Sequence, residues 1–512
     1  MDYNVNKEFL SVKEIIFDGC QEQAVDLDFS LPDYCPDIQR ILKCQVYPSI
    51  SSKSLSGDRL DVDGVATVRL MYLDSIKMAI RCCEHSIPFS CSFNIKNDAQ
   101  DAIAKVSTKV DYLNCRAISP RRLDIHGAFS VCAKVISKSQ QEIVSDLSGV
   151  GLQQKKKMMR ANNIIGMGQQ VFSINETLEI GSGKPAAEAI IRTDVSSNIN
   201  DYKTIANKVI IKGEAQIKVL YISDLDTGNV EIMEYSIPIS QIIDVNGIDE
   251  NCTCDVDINV LNHDMEIRQD GSGNDMLLEL DMKLDATAIA YEEKPIELIE
   301  DAYSTDYEVE REYKNTSVDC LLDKISETYS DKVNIENIEG GVTEVIDIWG
   351  EILSSSCRYE DNKIMFRGKM LICILAVNKD DQTFYIEKTV DFEHSKDWAD
   401  RQSQIKCDTN IRILSINYRI SGDSEIEVKF EVRINSSIYC SENRKAINSV
   451  VIDQNRPLEK DTTAAVTIYY AEAGEDIWNI ARKYCTSAEA IKEENGLDSD
   501  TLENQGMILI PM

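Results

Sequence analysis

The chain has 512 residues, of which 43% are hydrophobic and 28% charged, ordinary proportions for a protein with several buried cores. Its 54 basic and 87 acidic side chains leave a net charge of −33, so neither a basic nucleic-acid footprint nor binding to an anionic membrane through bulk charge is expected. No run approaches 18 apolar residues, so no helix is expected to insert in a membrane.

The first residues, MDYNVNKEFLSVKEIIFDG, carry early acids and no apolar core segment. They do not read as a signal peptide, and a cytosolic chain is expected. The 16 cysteines are scattered. In such a chain they are expected to be buried thiols rather than a disulfide framework. Cys82–Cys83 and the Cys252/Cys254 pair lack zinc-ligand spacing.

At Leu31–Leu42 the sequence LPDYCPDIQRIL makes a stiff, extended entry through Pro32 and Pro36. It leads into an internal repeat anchored on Gly64, Gly213 and Gly368, in DRLDVDGVATVRLMY, NKVIIKGEAQIKVLY and NKIMFRGKMLICILA. Counting from each glycine, the same positions are apolar in all three copies: Leu60, Val209 and Ile364; Val62, Ile211 and Phe366; Val68, Ile217 and Ile372; Leu70, Val219 and Ile374. The period is two on both sides of the glycine, which is strand behaviour. A glycine inside such a pattern marks a bulge or a close backbone approach. The anchors lie 149 and 155 residues apart (64 to 213 to 368), so each copy is a domain.

A second alternating segment follows in each copy: LDIHGAFSVCAKV, LLELDMKLDATAIA and IEVKFEVRINSSIY. The expected fold class is therefore mainly β, with three repeated β-rich domains at residues 10–136, 171–300 and 317–450. The strand order is not readable. The repeated positions are apolar or glycine, not chemical, which argues for scaffolding and against an enzyme. Residues 137–170, with the basic run Lys155–Lys157 and Arg160, read as a polar linker, or else as a small basic patch for an acidic partner. Residues 451–464 read as a second linker. GSGK at Gly181–Lys184 lacks the first glycine and the hydroxyl residue of a phosphate loop. His85, His126, His263 and His394 stand in separate segments with no acid or nucleophile in motif. No catalytic, cofactor or metal residue is expected.

The last segment, 465–512, changes character. Asp476 is placed to cap a helix, and Ile477, Ile480, Ala481 and Tyr484 fall on one face of it. Thr486 and Glu489 have capping-box spacing for a second helix, which ends at Gly496. With YYA before and MILIP after, the expected order is β-α-α-β.

The LPDYCPDIQRIL entry and the strand–glycine–strand unit resemble the SPOCS domain of sporulation and spore-coat proteins. The tail, with YYAEAGEDIWNIARKY, ENGL and GMILIP in order, resembles a LysM domain, a family that commonly binds N-acetylglucosamine polymers such as peptidoglycan. Together they resemble the SipL-like SPOCS–LysM spore-coat morphogenetic proteins of clostridia. The resemblance implies a non-enzymatic adaptor in the mother-cell cytoplasm, recruited to the forespore surface and the spore coat. Its implied partners are the coat-scaffold ATPase of stage IV sporulation, engaged through the LysM-like module, and other coat proteins.

Two surfaces of that module are candidates. The family's glycan groove maps onto Gly474, Glu475, Asp476, Ile477, Asn495, Gly496 and Gln505. Here Asp476 replaces the usual small hydroxyl residue, beside the acidic Glu475, and Gln505–Gly506–Met507 stands for the usual Pro-Gly-Gln. The alternative is a protein-binding patch. If Tyr469 and Ala471 point inward, alternation turns Val466, Ile468 and Tyr470 outward, with Trp478 beside them. Exposed apolar groups of this kind mark protein interfaces. A third reading has the same residues packed under the linker or the third β-domain.

Overall fold

The computed structural model describes residues 4–95, 101–399, 404–459 and 465–511. Alternating apolar residues build strands almost throughout. The first unit has six: β1 (Asn4–Ser30), β2 (Ile38–Ser56), β3 (Arg59–Asp74), β4 (Ile80–Asn94), β5 (Ile103–Ser119) and β6 (Arg122–Ser148). They form two antiparallel three-stranded sheets, ordered β2-β3-β4 and β1-β6-β5. The second unit repeats this with β7 (Leu152–Glu179), β8 (Ala189–Ile205), β9 (Lys208–Asp224), β10 (Asn229–Asp244), β11 (Thr253–Arg268) and β12 (Leu277–Ser304). The third follows with β13 (Tyr307–Ile335), β14 (Glu344–Glu360), β15 (Lys363–Val377), β16 (Thr383–Asp397), β17 (Ile405–Gly422) and β18 (Glu425–Pro457). Their sheets are ordered β10-β9-β8 with β11-β12-β7, and β14-β15-β16 with β13-β18-β17.

In each unit the two sheets share one core. All twelve repeated apolar positions lie in it, none more than 3% exposed. The anchoring glycines sit where the backbone is crowded. A Cβ on Gly64 or Gly368 would strike the ring of Phe89 or Phe392 on the neighbouring strand, and one on Gly213 the carbonyl of Asn198. In the first two units the partner strand also bulges beside the glycine, at Ile50/Ser52 and Ile199/Asp201. The prolines of the entry have a partner too. Tyr72 and Tyr221, each eight residues past its glycine, donate to the carbonyls of Pro36 (3.1 Å) and Pro185 (3.0 Å). The third unit, with Gly340 in place of the proline, has Ala376 in place of the tyrosine.

The three units close into a ring. β4 touches β8, β10 touches β14, and β16 returns to β2. The central strands of the three units meet at the centre: Met71 and Leu73, Leu220 and Ile222, Cys373 and Leu375, with Trp349. Arg192, 2% exposed, is buried there against the Trp349 ring, 3.8 Å from its centroid, and pairs with Asp347 at 2.9 Å.

The antiparallel pairs β1/β6, β7/β12 and β13/β18 run beyond the sandwiches and pack together as a three-sided stem, in which β6, β12 and β18 each touch the other two. Leu10, Ile143, Met159, Ala161, Ile296, Leu298, Val318 and Ala446 fill one layer of it. Val144, Leu147, Ile299, Ala302, Ile447 and Val450 fill the next. Residues 137–170, expected as a polar linker, are therefore mostly strand, and so are 301–304, 307–316 and 451–457. Met159, Ala161 and Ile164 are buried there, while Lys156, Lys157 and Arg160 are exposed. Of the expected second linker, residues 460–464 lie outside the described residues. One cysteine pair also departs from expectation: Cys20 and Cys132, in register across β1 and β6, are joined as a disulfide.

The tail is β19 (Val466–Ala471), α1 (Ile477–Lys483), α2 (Ala488–Asn495) and β20 (Gly506–Pro511), with β19 and β20 paired antiparallel. The mainly β class with a small β-α-α-β module at the end is what the alternation and capping signals indicated.

Candidate functional site

The candidate site is the terminal module and its seat on the stem. Asp476 caps α1, its side chain accepting from the Trp478 backbone N–H, and Ser487 caps α2 by accepting from Ala490. Gly496 ends α2 in the left-handed conformation, φ 59°, which favours glycine. Ala471, Ile477, Ile480, Ala481, Ile491, Leu502, Ile508 and Ile510 form the core, and one residue from outside the module, Tyr303 of β12, belongs to the same cluster.

Tyr303 marks the seat. Its ring meets the edge of Trp478 at 4.8 Å between centroids, and its hydroxyl donates to the Thr486 carbonyl at 2.7 Å. Beside it, Asp301 gathers four side-chain donors. The Trp478 indole N–H (2.9 Å) and Arg482 (2.7 Å) reach one oxygen, and Arg311 and Tyr313 (both 2.9 Å) reach the other. Burial alone would raise the Asp301 carboxyl. The hydrogen bonds from Trp478 and Tyr313 and the charges of Arg311 and Arg482 hold it below its ordinary value instead. Lys155 completes the seat with a 2.7 Å ion pair to Asp476. The acidic partner of the basic run is thus this chain's own carboxylates: Asp476 for Lys155, Asp146 and Glu297 for Lys156, and Glu293 for Arg160.

Trp478 is therefore separated from the other patch residues. It is partly buried against Tyr303 and Asp301 of β12. Val466, Ile468 and Tyr470 do face outward, 39%, 66% and 62% exposed, while Tyr469 and Ala471 turn in. Two residues that the sequence reading left out complete that face. In register, Ile468 stands opposite Leu509 and Tyr470 opposite Met507, and both partners are exposed. The same alternation that places Val466, Ile468 and Tyr470 signals them in GMILIP, because Ile508 and Ile510 are core residues. Neither strand carries a charged side chain.

The groove residues are largely engaged within the module. Ile477 is fully buried. The Glu475 carboxylate accepts from the Tyr469 hydroxyl and the Glu472 N–H, each at 3.0 Å. Asp476 is taken by Trp478 and Lys155. The Asn495 amide is bonded to the backbone of Ile491 and Leu509. Gly474 and Gly496 are exposed, and the Gln505 amide donates to the Tyr470 hydroxyl at 3.2 Å. The first loop is also laced to the segment before β20, Gly474 N–H donating to Leu502 and Ile477 N–H to Asp500.

Comparison with known families fits this division. The family described as SipL, SPOCS domain matches residues 37–118, 186–268 and 341–421, and the LysM domain family matches residues 469–511. The chain is a SPOCS–LysM protein. Each SPOCS match spans the four strands after the entry (β2–β5, β8–β11 and β14–β17) and leaves out the long strand pairs that build the stem. No curated protein and no solved structure matches the chain. SPOCS and LysM domains are non-catalytic binding domains, and this SPOCS–LysM protein is of the sporulation-related kind. Among the described residues no helix is long and apolar enough to cross a membrane.

Proposed function

We propose that this SPOCS–LysM protein is a non-enzymatic spore-coat morphogenetic adaptor. It acts in the mother-cell cytoplasm and at the forespore surface, where its LysM module engages the stage IV coat-scaffold ATPase. Its SPOCS ring offers docking faces to other coat proteins. The observation that carries this reading is the charge-free apolar face of β19 and β20 in a chain of net charge −33. Exposed apolar patches on soluble proteins are interaction sites. The stem contacts the module at Asp476, Trp478, Arg482 and Thr486, and the apolar face of β19 and β20 is left outward. ATP hydrolysis belongs to the partner, and this chain recognises and links.

The competing reading is peptidoglycan binding through the LysM groove. The engagement of Glu475, Asp476 and Asn495 within the chain leaves that groove few free polar groups to offer a sugar. The test pairs the full chain with purified scaffold ATPase and, in parallel, with purified peptidoglycan. Binding to the ATPase that is lost in Ile468→Arg, with circular dichroism unchanged, is the expected result. Co-sedimentation with peptidoglycan alone reverses the ranking.

A further inference from the structure

The two outer edges of the β19–β20 sheet are not alike. Along β20 the edge is closed by a side chain. Asn495 accepts from the Leu509 N–H at 2.7 Å and donates to the Leu509 carbonyl at 2.6 Å, as a neighbouring strand would. This fixes the direction of every backbone group in the sheet. In an antiparallel pair a residue's N–H and C=O point to the same side, and the side alternates along the strand. Leu509 points away from β19, so its partner Ile468 points away from β20. Val466 and Tyr470, two residues either side, do the same. Thr467, Tyr469 and Ala471 make the ladder.

The three residues whose side chains form the apolar face are thus the three whose backbone donors and acceptors line the free edge of β19. Among the described residues no backbone hydrogen bond reaches that edge, and the sheet has two strands only. Proteins usually blunt such an edge with charge, proline or a covering element. Here β19, with the sequence VTIYYA, has no charge and no proline.

We infer that β19 is a strand-addition site, and that the LysM module takes its partner as a third strand. The inference rests on the proposed engagement of the scaffold ATPase and says how that engagement is made. The occupant is an extended segment of the partner that pairs with the N–H and C=O groups of Val466, Ile468 and Tyr470. Backbone pairing supplies affinity, and the side chains on the exposed face supply specificity. The segment carries apolar residues at alternate positions, to continue the face of Ile468, Tyr470, Met507 and Leu509. It has no charge on that face, because neither β19 nor β20 offers a counter-charge.

Site-resolved hydrogen exchange on the full chain, with and without the purified scaffold ATPase, tests this. In the free protein the Ile468 and Tyr470 amides exchange fast while Thr467 and Tyr469 are protected. Binding is expected to slow Ile468 and Tyr470 by roughly tenfold or more. Tyr470→Pro removes an outward N–H and leaves the β19–β20 ladder intact. It should bind roughly fivefold more weakly than Tyr470→Ala, the loss of about one backbone hydrogen bond. A complex that forms, and is lost in Ile468→Arg, yet leaves both amides unprotected overturns strand addition while keeping the adaptor reading. Absence of any complex with the ATPase overturns both. A concentration-dependent dimer of the chain alone that protects the same two amides assigns the edge to a second copy and overturns the inference.

Discussion

The central strands of the SPOCS units and β19 obey one rule and end differently. In β3, β9 and β15 the residues on one face enter a sandwich core, and several on the other face, Met71, Leu220 and Cys373 among them, meet at the centre of the ring. Apolar residues on both sides of the alternation are thus buried inside the chain. In β19 the inward residues Tyr469 and Ala471 join the module's core cluster, but Val466, Ile468 and Tyr470 are exposed. A body that buries even its repeat-to-repeat seams leaves β19 open on its face and at its edge. The difference separates what holds the molecule together from what it offers to another.

That comparison is broken most violently inside the body. Phe366→Ala, at a fully buried position of the third sandwich, should cost about 3–5 kcal/mol by chemical denaturation. At the patch the cost of a large substitution should fall on binding instead. Ile468→Arg, at a residue 66% exposed, should leave the denaturation midpoint unchanged and weaken partner binding by about 2–4 kcal/mol in a titration.

The seat lies between these cases. Asp301→Ala strands the Trp478 indole, two arginines and Tyr313. It should weaken docking of the module by about 2–3 kcal/mol, seen as faster exchange of the Tyr303 and Thr486 amides. Trp478→Glu should have the same signature, because Trp478 faces Asp301 and Tyr303 rather than the apolar face. The pH dependence follows from the lowered Asp301 carboxyl. A depressed folded value contributes stability that is complete above the ordinary value of 3.8 and is lost as pH falls below it towards the folded value. Docking should therefore be level between about pH 7 and pH 5 and weaken below about pH 4, with Asp301→Asn removing the dependence. The smallest effect belongs to Lys155→Ala. Its ion pair with Asp476 is about a third exposed on each side and should contribute under about 1 kcal/mol.

The apolar halves of the repeats, the anchoring glycines, the helix caps at Asp476 and Gly496, and the outward turn of Val466, Ile468 and Tyr470 were all legible. Met507 and Leu509 were legible by the same alternation but were not drawn from it. The stem was not, because its buried residues, such as Met159 and Ala161, are sparse among polar residues such as Lys156, Lys157 and Arg160 that face water.

The sequence by itself determined the strands, their inward faces and the terminal module, because a period of two or a capped helical stripe depends only on neighbours in the chain. Tertiary structure alone decided three further things: that the repeats close into a ring, that Trp478 and Asp476 are claimed by Asp301, Tyr303 and Lys155, and that Asn495 closes β20 and leaves β19 open. Those outcomes join residues such as Trp478 and Asp301, 177 positions apart, and no local pattern records a contact at that range.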